Sequence, residues 1–210
     1  MTRVAPARPR LGGTSGNELL TSATALALTL LLMAEGVTIL WLGDLRTEHM
    51  FIGLVLIGPV ALKLASTGYR FARYYTRASP YVAQGPPVLP LRVLAPVLVI
   101  TTVLVFASGV VLLALGHHSD LALNVHKVAF IIWGACFAVH FLWHLPRAWQ
   151  ALRAARRVRV PGSAVRGVLL GAALGGGLAL AVALLPTVQA WHGGHRDEQT
   201  VGAYAPADHR

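Results

Sequence analysis

The chain has 210 residues, of which 55% are hydrophobic and only 12% charged, against about 25% charged in an ordinary soluble domain. Together with a mean hydropathy of +0.61, this excludes a water-soluble globule. The formal net charge of +10 leaves two readings of the basicity, nucleic acid or a membrane surface, and the placement of the charges decides between them.

Residues 1–17 are rich in Pro, Gly, Arg and Thr and predict a disordered basic tail. Five apolar stretches follow, at about 19–42, 51–69, 93–115, 124–145 and 166–187. Each is long enough to cross roughly 30 Å of hydrocarbon. The expected fold is all-α, a bundle of five transmembrane helices over residues 18–188, with a polar tail at 189–210. The first stretch is preceded by arginines. It is longer than a signal-peptide core and has no Ala-x-Ala site at its end, so it reads as an uncleaved span.

If the spans alternate, Arg3, Arg8 and Arg10, then Arg70, Arg73, Arg77 and Arg92, then Arg147, Arg153, Arg156, Arg157, Arg159 and Arg166 share one side. These are thirteen of the 18 basic residues. Arg46, Lys127, Arg196 and Arg210 take the other. The positive-inside pattern puts the N-terminus in the cytoplasm and the C-terminus outside, in a bacterial-type plasma membrane. The charge then serves topology and contact with anionic lipid, not nucleic acid.

The loop Gly43–Met50 is short, so spans 1 and 2 form a hairpin. Segment 70–92 carries Tyr74, Tyr75 and Tyr81 and then Gly85-Pro86-Pro87, which suits the headgroup layer. The stretch 147–159 extends span 4 along the surface before Pro161-Gly162. In span 5, Gly167, Gly171 and Gly175 recur every fourth residue, followed by Gly176 and Gly177. That spacing lets another helix approach closely: one from this chain, or one from a second copy. Trp41 and Trp191 read as anchors at the outer interface and Trp149 at the inner. Cys136, the single cysteine, excludes an internal disulfide and a Cys-based metal cluster.

Basic side chains inside the spans point to function, because they are costly there. His49 and Lys63 are 14 residues apart at span 2, and His126 and His140 are 14 apart at span 4. Fourteen residues of helix rise ~21 Å, so each pair lies near one helix face at two depths. Spans 2 and 4 run in the same direction, which matches His49 with His126 in depth, and Lys63 with His140. A haem iron takes axial ligands from both sides of its plane, so two ligands must come from two helices. His49 with His126 makes an outer haem site. An inner one would use His140, or His144 one turn further on, with Lys63 or nothing opposite.

Lys63 has other roles open to it: snorkelling to the inner headgroups, contact with a propionate or another anion, or pairing with Glu35. Glu35 is the one acid deep in a span. It is either a protonated carboxyl bonded to a neighbouring helix, or a proton or quinone contact beneath the outer haem. His117, His118, His192 and His195 lie on the outer side and read as polar loop residues.

His49 with Phe51-Ile52-Gly53-Leu54, Lys63 at a second ligand position, and His126-Lys127 with His140-Phe141-Leu142 resemble the membrane haem b cytochromes. That group includes respiratory cytochrome b and the haem-bearing membrane subunits of formate dehydrogenases, nitrate reductases and hydrogenases. The resemblance covers roughly residues 46–145. It implies one haem b, or two, between spans 2 and 4, with His49, His126 and His140 as iron ligands and Gly53 admitting the ring. It also implies electron exchange with a quinone or a partner redox subunit. Position 63 departs from the pattern. No flavin or nicotinamide fingerprint is present, so the expectation is an electron-transfer subunit rather than a complete enzyme. The alternative expectation is a non-haem membrane protein, a small transporter or an accessory or assembly subunit, that uses Glu35 and Lys63.

Overall fold

A computed structural model describes residues 13–83, 85, 89–115, 119–155 and 162–191, with the side chains of 147–155 excepted. Among these residues the secondary structure is helical throughout: α1 (Gly13–Leu40), α2 (Arg46–Tyr75), the single turn α3 (Ser79–Val82), α4 (Leu89–Leu115), α5 (Asp120–Ala155) and α6 (Ser163–Ala183). A last turn and a half, α7, covers 185–191. Five of these helices are long and apolar enough to cross a membrane, and they correspond to spans 1 to 5. The protein is an all-α, multi-pass membrane bundle.

The helices are longer than their apolar cores. α2 has 30 residues, about 45 Å at 1.5 Å per residue, where the hydropathy marks only 51–69. Hydrocarbon thickness limits the apolar run, and the backbone hydrogen bonding continues past it. α1 begins at Gly13, inside the segment expected to be a tail, and α5 continues to Ala155 as the reading of 147–159 expected. His117, His118, His192 and His195 lie outside the described residues.

The chain passes alternately between two ends. The near end carries the α1–α2 turn, the α4–α5 turn and α7. The far end carries α3 and the start of α6, together with Arg70, Arg73, Arg77, Arg92 and Arg166. Tyr69, Phe71 and Tyr75 are exposed there, and Tyr81 of α3 packs edge-on against Tyr69 with ring centres 6.0 Å apart.

α2 packs on α1 and α6, and α4 packs on α5, while the two groups touch each other only lightly. The first group is locked by a backbone crossing. A methyl on Gly58 would strike the Ala173 carbonyl, and one on Gly177 would strike the Val55 carbonyl. Pro59 lies inside α2 and is fully buried. It has no N–H to give the carbonyl four residues back, which is that of Val55. Gly177 therefore covers a carbonyl that would otherwise face hydrocarbon without a donor. Weak Cα–H···O contacts of this kind recur where helices approach closely.

This narrows the reading of the glycine stripe. Gly167, Gly171 and Gly175 have open space where a side chain would point. The contact within the chain uses the neighbouring face, with Ala173, Gly177 and the fully buried Ala181.

The near end is closed by α7. Pro186 sits in its first turn, a position that needs no N–H. Val188 is fully buried with Leu54, Leu113 and Ala181. Trp191 donates from Nε1 to the Leu113 carbonyl at 3.3 Å and so ties α7 to α4. The two helix groups are thus pinned together at one end.

Gly177→Ala should destabilise the protein by about 1–3 kcal/mol, because an added methyl meets backbone that cannot give way. Gly171→Ala, in open space on the same helix, should leave stability within about 1 kcal/mol. Paired denaturation curves in detergent would measure both. Equal effects at the two positions would refute the α2–α6 crossing.

Candidate functional site

Where the two helix groups separate below α7, they leave an apolar cavity. Its walls include Leu54, Ile57, Phe106, Leu113, Phe130 and Trp133, and its polar groups converge from three helices: Glu35 of α1, His49 of α2 and His126 of α5. An apolar cleft with a few convergent polar groups is the usual form of a cofactor site.

His49 sits in the first turn of α2, which places its ring at the near end beside the last turns of α1. Its Nδ1 is 2.8 Å from Glu35 Oε1. Glu35 is buried, and His49 is its only ion-pair partner among the described residues. Thr38, one turn on, donates from Oγ1 to the Glu35 backbone carbonyl at 2.7 Å and lies 3.4 Å from both Glu35 Oε2 and His49 Nδ1. When His49 is neutral, Nδ1–H donates to the carboxylate and the lone pair is on Nε2.

His126 lies in the second turn of α5 and leans on α4. Its Nδ1 is 3.0 Å from the Val105 carbonyl and 3.1 Å from Ser108 Oγ. Ser108 has one hydroxyl proton, and the Leu104 carbonyl holds it at 2.6 Å. Both neighbours of Nδ1 are therefore acceptors, so the proton is on Nδ1 and Nε2 is again the free base. Gly109 makes this seat possible. A methyl there would lie 3.3 Å from His126 Cε1, tighter than ordinary contact. Two turns further along α5, Trp133 donates from Nε1 to Thr102 Oγ1 at 3.0 Å.

The two imidazole rings face each other across the cavity with centres 6.4 Å apart and planes at 86°. An imidazole nitrogen sits ~2.0–2.1 Å from a bound transition metal, so two rings that share one metal have centres within roughly 6 Å of each other. The ring spacing, the engaged Nδ1 atoms and the apolar walls fit a metal-bearing cofactor that His49 and His126 would hold. Gly53 also lines the cavity, and a methyl on it would sit 3.7 Å from Glu35 Oε1.

The remaining expected site residues lie elsewhere. Lys63 donates from Nζ to the Thr21 carbonyl of α1 at 3.0 Å, beside Thr21 Oγ1 bonded to Ser66 Oγ at 3.2 Å and Asn17 Nδ2 bonded to the Ser66 carbonyl at 3.3 Å. His140 and His144 stack on one face of α5 with ring centres 4.5 Å apart. No second histidine pair across two helices is formed among the described residues. Glu35 and Lys63 do not meet. Their partners place them some 14 residues apart along α1, or ~21 Å.

Sequence reasoning missed Thr38, Ser108 and Gly109. Small polar and small residues are ordinary packing material in a membrane helix, and only the approach of a histidine ring singles them out. No family model matches this chain, and no curated protein or solved structure is significantly similar to it.

Proposed function

We propose that this protein is a membrane electron-transfer protein that holds one haem b between α2 and α5, with His49 and His126 as axial ligands. The carrying observation is the pair of rings from two different helices, 6.4 Å apart across one apolar cavity, each with Nδ1 already engaged. Second-shell partners of this kind fix the tautomer and aim a metal-ligating histidine.

Haem b, when bound, supplies a one-electron couple. The chain's own residues do the rest. His49 and His126 would hold it, and Glu35, Val105 and Ser108 orient them. Phe130, Trp133, Leu54 and Leu113 keep water away. Gly53 and Gly109 leave room where a side chain would intrude. With the arginine-rich far end in the cytoplasm, the site lies toward the outer face of a plasma membrane. A quinone or a partner redox subunit would be its donor or acceptor. The exposed stripe Gly167, Gly171 and Gly175 is a face on which such a subunit, or a second copy, could dock.

The test is haem per chain, measured from the reduced-minus-oxidised spectrum of protein purified from haem-replete cells. One haem per chain is expected, and His49→Ala and His126→Ala should each abolish it. His140→Ala and Lys63→Met should retain it. Two haems per chain, one of them lost in His140→Ala, would bring the far-end pair into service. A wild-type protein with no Soret band would overturn the reading.

Gly109→Val keeps both histidines but pushes a side chain against the His126 ring. Haem content should drop severalfold, with the protein still inserted and monodisperse. Full occupancy in that variant would mean that His126 does not use the seat on α4.

A further inference from the structure

The two ligand histidines have unlike supports. His126 rests on neutral acceptors, a backbone carbonyl and a hydroxyl. His49 rests on a carboxylate at 2.8 Å, buried on α1 and steadied by Thr38. A neutral acceptor would orient the ring equally well, as it does for His126. The carboxylate must therefore differ in what its charge does. Burying a charge in a membrane span is costly, and such residues are rarely idle.

We infer that Glu35 is a positioning residue that sets the potential of this site, holding the bound haem toward its oxidised state through His49. The inference rests on the haem reading above. The oxidised iron centre carries one more positive charge than the reduced one, because the single electron has passed to an acceptor. A fixed negative charge one imidazole away stabilises the more positive form, and low surrounding polarity strengthens the interaction. A carboxylate on Nδ1–H also makes the imidazole a more basic ligand, which acts in the same direction. Ligand basicity, second-shell hydrogen bonds and burial are the means by which a protein tunes such a centre.

Among the described residues no Lys or Arg lines the cavity, and His126 is the other titratable group there; Lys63 is engaged with Thr21 at the other end of α1. Lowering the potential of the centre shifts its equilibrium with any one-electron partner toward the oxidised form.

The experiment is a redox titration of the haem-loaded full-length protein in detergent with chemical mediators. Three proteins are compared: wild type, Glu35→Gln and Ser108→Ala. Glutamine keeps an oxygen to accept from His49 Nδ1 and removes only the charge. Glu35→Gln should raise the midpoint potential, shifting the ferric-to-ferrous ratio at fixed poise on the order of tenfold, ~59 mV for one electron. Ser108→Ala, whose histidine retains the Val105 carbonyl, should move it much less. The low-spin ferric EPR signal should shift in Glu35→Gln and stay put in Ser108→Ala, which a purely structural role would not produce. If Glu35→Gln does not accumulate, Glu35→Asp keeps the charge but draws it back from the ring, and a smaller rise is expected. A potential that is the same in wild type and in the Glu35 variant overturns the inference and leaves the haem reading intact. A wild-type protein without haem removes both.

Discussion

Inside a bilayer no water is available to satisfy a polar group, so each one has to find a partner within the protein. The spans obey this almost by rote. Thr24, Thr29, Thr101, Thr102 and Ser108 turn their hydroxyls back onto carbonyls of their own helices. Lys63 reaches a carbonyl of α1, and Trp133 reaches Thr102. Glu35, the most expensive side chain of all, is matched to His49. With these accommodated, the two imidazole rings that line one cavity become informative, because each is anchored through its Nδ1 by a residue of another helix.

The helix packing explains why that space exists. α1, α2 and α6 form one body, held by the near-contact of backbones at Gly58 and Gly177. α4 and α5 form another. Along α5 the rings of Phe130, Trp133, Phe137 and Phe141 stack in series at 4.8–6.0 Å, which lines one helix face with flat surfaces. The bodies join through Leu54, Leu113 and Val188 and through the bond from Trp191. A bundle knitted together at one end and sparing in contact below it has room for a planar group between its halves. His49 and His126 reach the same cavity although α2 and α5 each pack chiefly on other helices.

Much of this was legible in the sequence, and what was not has definite physical causes. Five apolar runs announce five helices because hydrocarbon demands both length and helicity. Their ends do not follow, since α2 and α5 carry on into the headgroup layer with Arg, Tyr and Trp on a helical backbone. The pairing of His49 with His126 follows from equal depth on parallel helices. Glu35 was visible as an intramembrane acid, but its partner was not, because the α1–α2 turn sets which residues of the hairpin stand opposite. The glycine repeat of α6 did not locate the contact within the chain: a period of four is satisfied by Gly167, Gly171 and Gly175, which meet nothing here, while the close approach is at Gly177, over the carbonyl that Pro59 leaves without a donor. Spacing also placed Lys63 and His140 at matching depth, yet a lysine stem is long enough to turn to α1 instead.

The same reasoning separates the two ends of the molecule. At the far end Asn17, Thr21, Lys63 and Ser66 bond to one another and to backbone across the α1–α2 seam. Those bonds join two helices that are already adjacent, and removing one costs stability. At the near end the bonds of Glu35 and Ser108 do something else. Each is made to a histidine on another helix whose ring lines the cavity between the two helix groups. Polar groups that close a seam explain themselves by the seam. Polar groups that hold two histidines from separate helices at one apolar cavity are not accounted for by a seam, and the proposed cofactor site rests on them.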